Sequence, residues 1–173
     1  MDFRAMAAMF PRTVASFKLF DIKNMKKFLH GFIYAFSGII TCIREERNFR
    51  FHMAAAFHLF AYLPFFDLSN AELCILVMLC GVVFALEAVN TAIENAIDST
   101  GIVSKTAGIA KDAAAGAVLI AAVISVICGI IILWQPAAFA AIFKFYIDAP
   151  IAIIAQIAVL IFWIWFVFLW RRK

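Results

Sequence analysis

Apolar residues run in blocks along this chain. From Phe51 to Phe66 there is no Asp, Glu, Lys or Arg, and further apolar blocks fill roughly 72–97, 113–134 and 150–170. Each of the last three is long enough, or nearly so, for a helix to cross the ~30 Å hydrocarbon layer of a bilayer. The first is short, since Phe51–Phe66 alone rises only about 24 Å. A span there borrows length from Asn48 onward, with Arg47 and Arg50 snorkelling to the headgroups, and is placed at about 48–66. Between Lys23 and Arg44 the pattern changes to a helical period. Phe28, Phe32, Ile33, Phe36, Ile39, Ile40 and Ile43 share one arc, whereas Lys26, Lys27, His30, Tyr34, Ser37 and Thr41 occupy another. Such a segment predicts an interfacial helix over 24–44. Residues 1–21 carry a second, weaker amphipathic pattern with a break at Pro11.

Composition turns these blocks into membrane spans. With 66% hydrophobic and 15% charged residues, 20 Phe and 4 Trp, the chain has too little polar surface to coat a soluble globule. The expected fold class is an all-α membrane protein, one domain in length, with no repeat and no low-complexity tract. A cleaved signal peptide is not expected, because residues 1–30 carry dispersed charges and no uninterrupted apolar core.

Charge sets the orientation. Nine of the 15 basic residues precede the Phe51 block: Arg4, Arg12, Lys18, Lys23, Lys26, Lys27, Arg44, Arg47 and Arg50. The connection Asp67 to Glu72 has none, Lys105 and Lys111 lie in the next, Lys144 in the third, and the chain finishes Arg171-Arg172-Lys173. This alternation puts both termini of a four-span protein in the cytoplasm. The net charge of +4 has no continuous basic patch behind it, so it points to anionic headgroups rather than nucleic acid. Cys42, Cys74, Cys80 and Cys128 lack metal-ligand spacing, and the last three sit in apolar segments where they read as small hydrophobic residues.

The chemistry lies at the end of the second span. Along Leu86-Glu87-Ala88-Val89-Asn90-Thr91-Ala92-Ile93-Glu94-Asn95-Ala96-Ile97-Asp98, the residues Glu87, Asn90, Glu94 and Asp98 form one polar stripe on an otherwise apolar helix. No Lys or Arg in the segment offsets these carboxylates, and an intramembrane carboxylate costs at least a few kcal/mol. Asp98 reads as a helix end emerging among headgroups, but Glu87 lies about 16 Å deeper and reads as functional. A divalent cation such as Mg²⁺ would suit the stripe, taking carboxylate, water and phosphate oxygens. The expected topology brings this stripe to the same face as Glu45, Glu46, Arg47, Arg50, Lys111 and Asp112. Carboxylates, a lysine and a cation facing the ATP pool are what phosphoryl transfer uses. Neither soluble form of Gly-rich phosphate loop is present. His52 and His58 read as locally hydrogen-bonded imidazoles outside the site.

Two of these stretches resemble a known family. Glu87-Ala-Val-Asn-Thr-Ala-Ile-Glu94-Asn-Ala-Ile-Asp98 is similar to the signature of the small prokaryotic diacylglycerol kinases and the related undecaprenol kinases, and Ala110-Lys111-Asp112-Ala-Ala-Ala-Gly-Ala-Val-Leu119 resembles their second motif. The resemblance runs from about Lys27 to Trp134. Glu45-Glu46-Arg47-Asn48-Phe49-Arg50-Phe51-His52 looks closer to the undecaprenol branch. The family implies a homotrimer of three-span subunits with active sites shared between neighbours, Mg-ATP as phosphoryl donor with Mg²⁺ as cofactor, and a membrane lipid, undecaprenol or diacylglycerol, as acceptor. It places the general base on Glu87, the metal-binding carboxylates on Glu46 and Glu94 with Glu45 as the neighbouring alternative, and a contact to the lipid hydroxyl or transferred phosphoryl group on Asn90. It assigns nucleotide contacts to Lys111, Asp112, Tyr34 and Lys27, besides Glu46 and Glu94. The chain then divides into an N-terminal extension 1–22, a lipid kinase domain 23–135 and a C-terminal extension 136–173 with the fourth span.

Two departures stand out. The connection Ser99 to Gly108 lacks the acidic and histidine residues that hold nucleotide in the diacylglycerol branch, and the fourth span lies outside the family core. That span has Trp163, Trp165 and Trp170 with a lone Gln156, and reads as a peripheral anchor. An ion-coupled transporter is the alternative function, because intramembrane carboxylates also mark ion pathways. A non-catalytic scaffold would leave the Glu87 stripe unexplained.

Overall fold

The computed structural model describes residues 13–170, with side chains from Asn24 onward. Every regular element among the described residues is helical: α1 (Thr13–Glu45), α2 (Arg47–Tyr62), a 3₁₀ turn (Leu63–Phe65), α3 (Asn70–Ser99), α4 (Lys105–Leu133), α5 (Pro136–Asp148) and α6 (Pro150–Ile164), which continues as a π-helical turn (Trp165–Leu169). Contacts divide the chain inside α1, into a unit ending at Ile40 and a unit from Thr41 onward.

In the first unit, the helix expected over 24–44 begins earlier, at Thr13, and runs unbroken to Glu45. No proline or glycine interrupts residues 13–30, so nothing stops the backbone ladder there. The expected break at Pro11 lies outside the described residues. Phe28, Phe32, Ile33 and Phe36 are exposed, as an interfacial helix requires, and the Phe28 and Phe32 rings meet edge to face at 5.0 Å.

In the second unit, α3 and α4 pack along each other more extensively than any other pair. Each starts on a serine cap. Ser69 and Glu72 form a reciprocal capping box at α3, and the Ser104 hydroxyl accepts from the Ala107 amide at α4. Between them the chain reverses at Gly101, whose φ of 65° suits a residue without a Cβ.

Among the described residues, three helices are long and apolar enough to cross a membrane: Asn70–Ser99, Lys105–Leu133 and Pro150–Leu169. They coincide with the second, third and fourth expected spans. Helix α2 is only 16 residues long and closes into the 3₁₀ turn where Pro64 stands, so the segment expected over 48–66 is a short helix plus a turn.

The connection between the last two spans was expected as a loop and is instead a helix, α5. Its sequence Pro-Ala-Ala-Phe-Ala-Ala-Ile-Phe-Lys-Phe-Tyr-Ile-Asp is too short to span, but proline at its first turn starts a helix well. Aromatic contacts fix α5 to the end of α2: the Tyr62 and Tyr146 hydroxyls are 2.6 Å apart, and the Phe65 and Phe145 rings 5.5 Å. Beside them, Gln135 spends both ends of its amide on Asp67. Its Oε1 accepts from the Asp67 N–H and its Nε2 donates to the Asp67 carbonyl, each at 3.0 Å.

Candidate active site

Helix α3 carries the polar stripe into the interior. Glu87 is 2% exposed and Asn90 7%, with Thr91 buried beside them, whereas Glu94 is half-buried and Asp98 is exposed. Burial therefore falls along the stripe in the order anticipated for Glu87 and Asp98. The Asn90 Nδ2 donates to Glu94 Oε1 at 2.8 Å, while the Asn90 Oδ1 is buried without a hydrogen-bond partner. A buried acceptor without a donor is costly, and such an atom suits a substrate that brings its own hydroxyl.

The partner of Glu87 is a residue that sequence reasoning left out of the site. The His52 Nε2 lies 3.2 Å from Glu87 Oε1. This corrects the reading of His52 as a locally bonded imidazole, which holds for His58, whose Nδ1 meets the Ala54 carbonyl oxygen at 2.8 Å. Sequence distance hid the pair, because the two residues stand on different helices and neither position belongs to a metal-ligand spacing.

Glu46 enters from the junction of α1 and α2. It is the single residue between the two helices, with extended backbone (φ −98°, ψ 115°), and its side chain makes no capping hydrogen bond. Burial, and then the neighbouring carboxylates of Glu94, Glu87 and Glu45, push its carboxyl above the ordinary range, with Arg50 opposing them. Glu87 and Glu94 thus lie near enough to Glu46 to act on it electrostatically. Glu45 is fully exposed while Glu46 is half-buried, which favours Glu46 of the two candidates. The Cys42 thiol also belongs to this neighbourhood. It is 5% exposed, shares a hydrogen bond with Thr91, and is pushed up mainly by burial.

Among the described residues, no group of three or more His, Cys, Asp and Glu is gathered closely enough to cage a metal. Mg²⁺ does not require a cage, since it commonly takes one or two carboxylates and fills its octahedron with waters and phosphate oxygens. The hard oxygens of Glu46 and Glu94, which form no ion pair among the described residues, fit a divalent cation.

Lys111 and Asp98 form an ion pair across the Gly101 reversal. The pair joins the first turns of α4 to the last turn of α3, so Lys111 is brought to the stripe's outer end, and Asp112 beside it is exposed. Lys27 and Tyr34 belong to the first unit, where both are exposed.

A cavity of about 360 Å³ opens among α2, α3 and α4. His52 lines it, together with Val83 and Phe84 one helical turn from Glu87, Leu76 and Leu79 deeper on α3, and Ser125 on α4. Its wall is almost wholly apolar, and the one imidazole on it is the one that holds Glu87.

Comparison with known proteins supplies the family. The model of the family described as Prokaryotic diacylglycerol kinase matches residues 33–133, more than half of the chain. The chain is 44% identical over 114 residues to an undecaprenol kinase of Bacillus subtilis, an alignment covering 65% of this chain and 93% of that protein. It is 36% identical over 110 residues to a diacylglycerol kinase of Synechocystis sp., covering 62% of this chain and 63% of that protein. No solved structure matches it.

Proposed function

Because this chain belongs to the prokaryotic diacylglycerol kinase family, and is therefore a membrane-embedded lipid kinase, we propose that it transfers the γ-phosphoryl group of Mg-ATP to the hydroxyl of undecaprenol, with Glu87 as general base. Family membership sets aside the transporter and scaffold alternatives. The observation that carries the reading is the buried Glu87, held by His52 and within electrostatic reach of the Glu46 carboxylate. The choice of undecaprenol rests on the 44% identical relative, with diacylglycerol as the second acceptor.

In this mechanism the lipid chain next to the hydroxyl occupies the apolar cavity, which leaves the hydroxyl between Glu87 and the unpartnered Asn90 Oδ1. Glu87 takes the hydroxyl proton as the lipid oxygen attacks the γ-phosphorus, and the bond from that phosphorus to the bridging oxygen of ADP breaks. His52 keeps the Glu87 carboxylate aimed at the hydroxyl. Asn90 holds Glu94 in place through its Nδ2. Glu46 and Glu94 would hold Mg²⁺, which when bound would supply charge neutralisation on the phosphoryl oxygens. Lys111, Asp112, Tyr34 and Lys27 contribute nucleotide contacts, Tyr34 and Lys27 from the interfacial helix.

The active face and both termini lie on the cytoplasmic side, as the distribution of basic residues supports, and the kinase works as a homotrimer that shares sites between neighbours. The deciding experiment offers undecaprenol and diacylglycerol side by side to the purified protein in mixed micelles with γ-labelled ATP. Labelled undecaprenyl phosphate, lost on chelating Mg²⁺, is the expected result. Labelling of diacylglycerol alone would move the chain to the other branch, and no labelling of either would overturn the proposal.

A further inference from the structure

The C-terminal helix lies outside the residues that the family model matches, yet it reaches the most exceptional cation of the second unit. Arg50 is 6% exposed and makes no ion pair within the described residues. Its Nη1 donates to the Ile43 and Arg44 carbonyls at 3.0 and 3.1 Å, and its Nη2 to the Val167 carbonyl at 3.4 Å. The guanidinium carbon stands 5.9 Å from the Phe166 ring centroid and 5.6 Å from that of Trp170. The last described turn of the chain thus forms a lid of two aromatic faces and one carbonyl over a buried arginine.

The position of that arginine matters more than its burial. Helix α1 ends one residue before Glu46, and while the Cys42 carbonyl still accepts from the Glu46 amide, the carbonyls after it have lost their helical donors. Arg50, one turn into α2, supplies donors to two of them and so ties the end of α1 to the start of α2 across Glu46. A guanidinium taken out of water is costly unless its surroundings replace the solvent, which the rings and the Val167 carbonyl do in part, the buried Nε being left without a partner. With three of its Nη–H groups directed at carbonyls, Arg50 forms no ion pair with Glu46, whose carboxylate stays available to a cation.

We infer that the C-terminal helix is a positioning strut for Glu46: Phe166, Val167 and Trp170 hold Arg50, and Arg50 holds the junction that presents the carboxylate. The inference rests on Glu46 being a metal ligand. Without the aromatic lid, Arg50 leaves the α1 carbonyls and pairs with Glu46, competing with the cation.

The test is Mn²⁺ binding to the nucleotide-free full-length protein, read by electron paramagnetic resonance, with hydrogen exchange of the Arg47–Arg50 amides measured on the same samples. The Phe166→Ala/Trp170→Ala protein is expected to bind Mn²⁺ about tenfold more weakly, the scale for residues that orient a ligand, with faster exchange at the junction and an unchanged KM for lipid. Trp170→Phe, which keeps an aromatic face, should restore affinity, whereas Trp170→Leu should not. If the double variant fails to fold, the Phe and Leu variants decide the matter alone. Equal Mn²⁺ affinity in Trp170→Leu and wild type would overturn the strut while leaving Glu46 a ligand. A wild type that binds no Mn²⁺ would remove the metal assignment itself, and the strut with it.

Discussion

Glu87 and His52 make a pair in which each residue explains the other. A carboxylate 2% exposed in an apolar helix needs a donor, and an imidazole on the wall of an apolar cavity needs an acceptor. Glu87→Gln removes the proposed base while keeping shape, and kcat should fall by roughly 10² to 10⁴-fold with nucleotide binding retained. An active Glu87→Gln enzyme would show that another group accepts the proton. His52→Leu deletes one hydrogen bond to a charged group, worth about 1.5–3 kcal/mol, so kcat should drop roughly ten- to a hundred-fold. His52→Gln, which can still donate, should recover much of that loss. Comparison of the two variants under saturating lipid checks it.

Glu46 gives the site a pH dependence of known sign. Its carboxyl in the folded protein titrates above the ordinary range because of burial and the carboxylates of Glu94 and Glu87. Between its ordinary and its raised value the folded protein holds a proton that the unfolded chain has lost. The metal-free protein should therefore lose stability as pH rises through that window. A divalent cation must displace the same proton, so calorimetric titration with Mn²⁺ just above the ordinary carboxylate range should register proton release that Glu46→Gln abolishes.

At the scale of elements, the Gly101 reversal offers the simplest local test. Its φ of 65° is open to glycine and strained for alanine, although a Cβ there would meet nothing within 4 Å. Gly101→Ala should therefore cost about 1 kcal/mol, through backbone strain rather than a clash, and lower the thermal midpoint without changing KM for lipid. The same scale shows what the sequence made legible. Helices α3, α4 and α6 announced themselves because each is a long apolar run, and the stripe from Glu87 to Asp98 did so because carboxylates without cationic neighbours are costly in such a run. Helix α5 was hidden, being apolar enough to resemble a connection and too short to resemble a span. His52 and Arg50 were hidden for another reason. Their partners, Glu87 on α3 and Phe166, Val167 and Trp170 near the end of the chain, are far away in sequence, and no local pattern records a tertiary contact.

For the whole molecule, most large apolar side chains of α3, α4 and α6 are exposed, including Met78, Ile120, Ile131, Ile154 and Phe168, which suits a protein solvated by hydrocarbon. Few residues are buried inside one chain, and most of those gather where α2 meets α3 or the C-terminal turn. The proposed trimer would cover part of the remaining surface. Cross-linking in native membranes, followed by mixing of inactive Glu87→Gln subunits with inactive Glu46→Gln subunits, checks the shared site: recovered activity is expected only if one subunit completes another's centre.

The Gln135 amide, which accepts from the Asp67 N–H and donates to the Asp67 carbonyl, makes the far side of the helical unit differ in kind from the carboxylate side. With the Tyr62–Tyr146 contact beside it, that region is stitched by neutral bonds that neither salt nor pH disturbs. The opposite region carries the Glu46, Glu87 and Glu94 carboxylates, where the proposed cation would bind. Moderate heating should accordingly silence the enzyme before it melts the helices, and added Mg²⁺ should delay the first event more than the second.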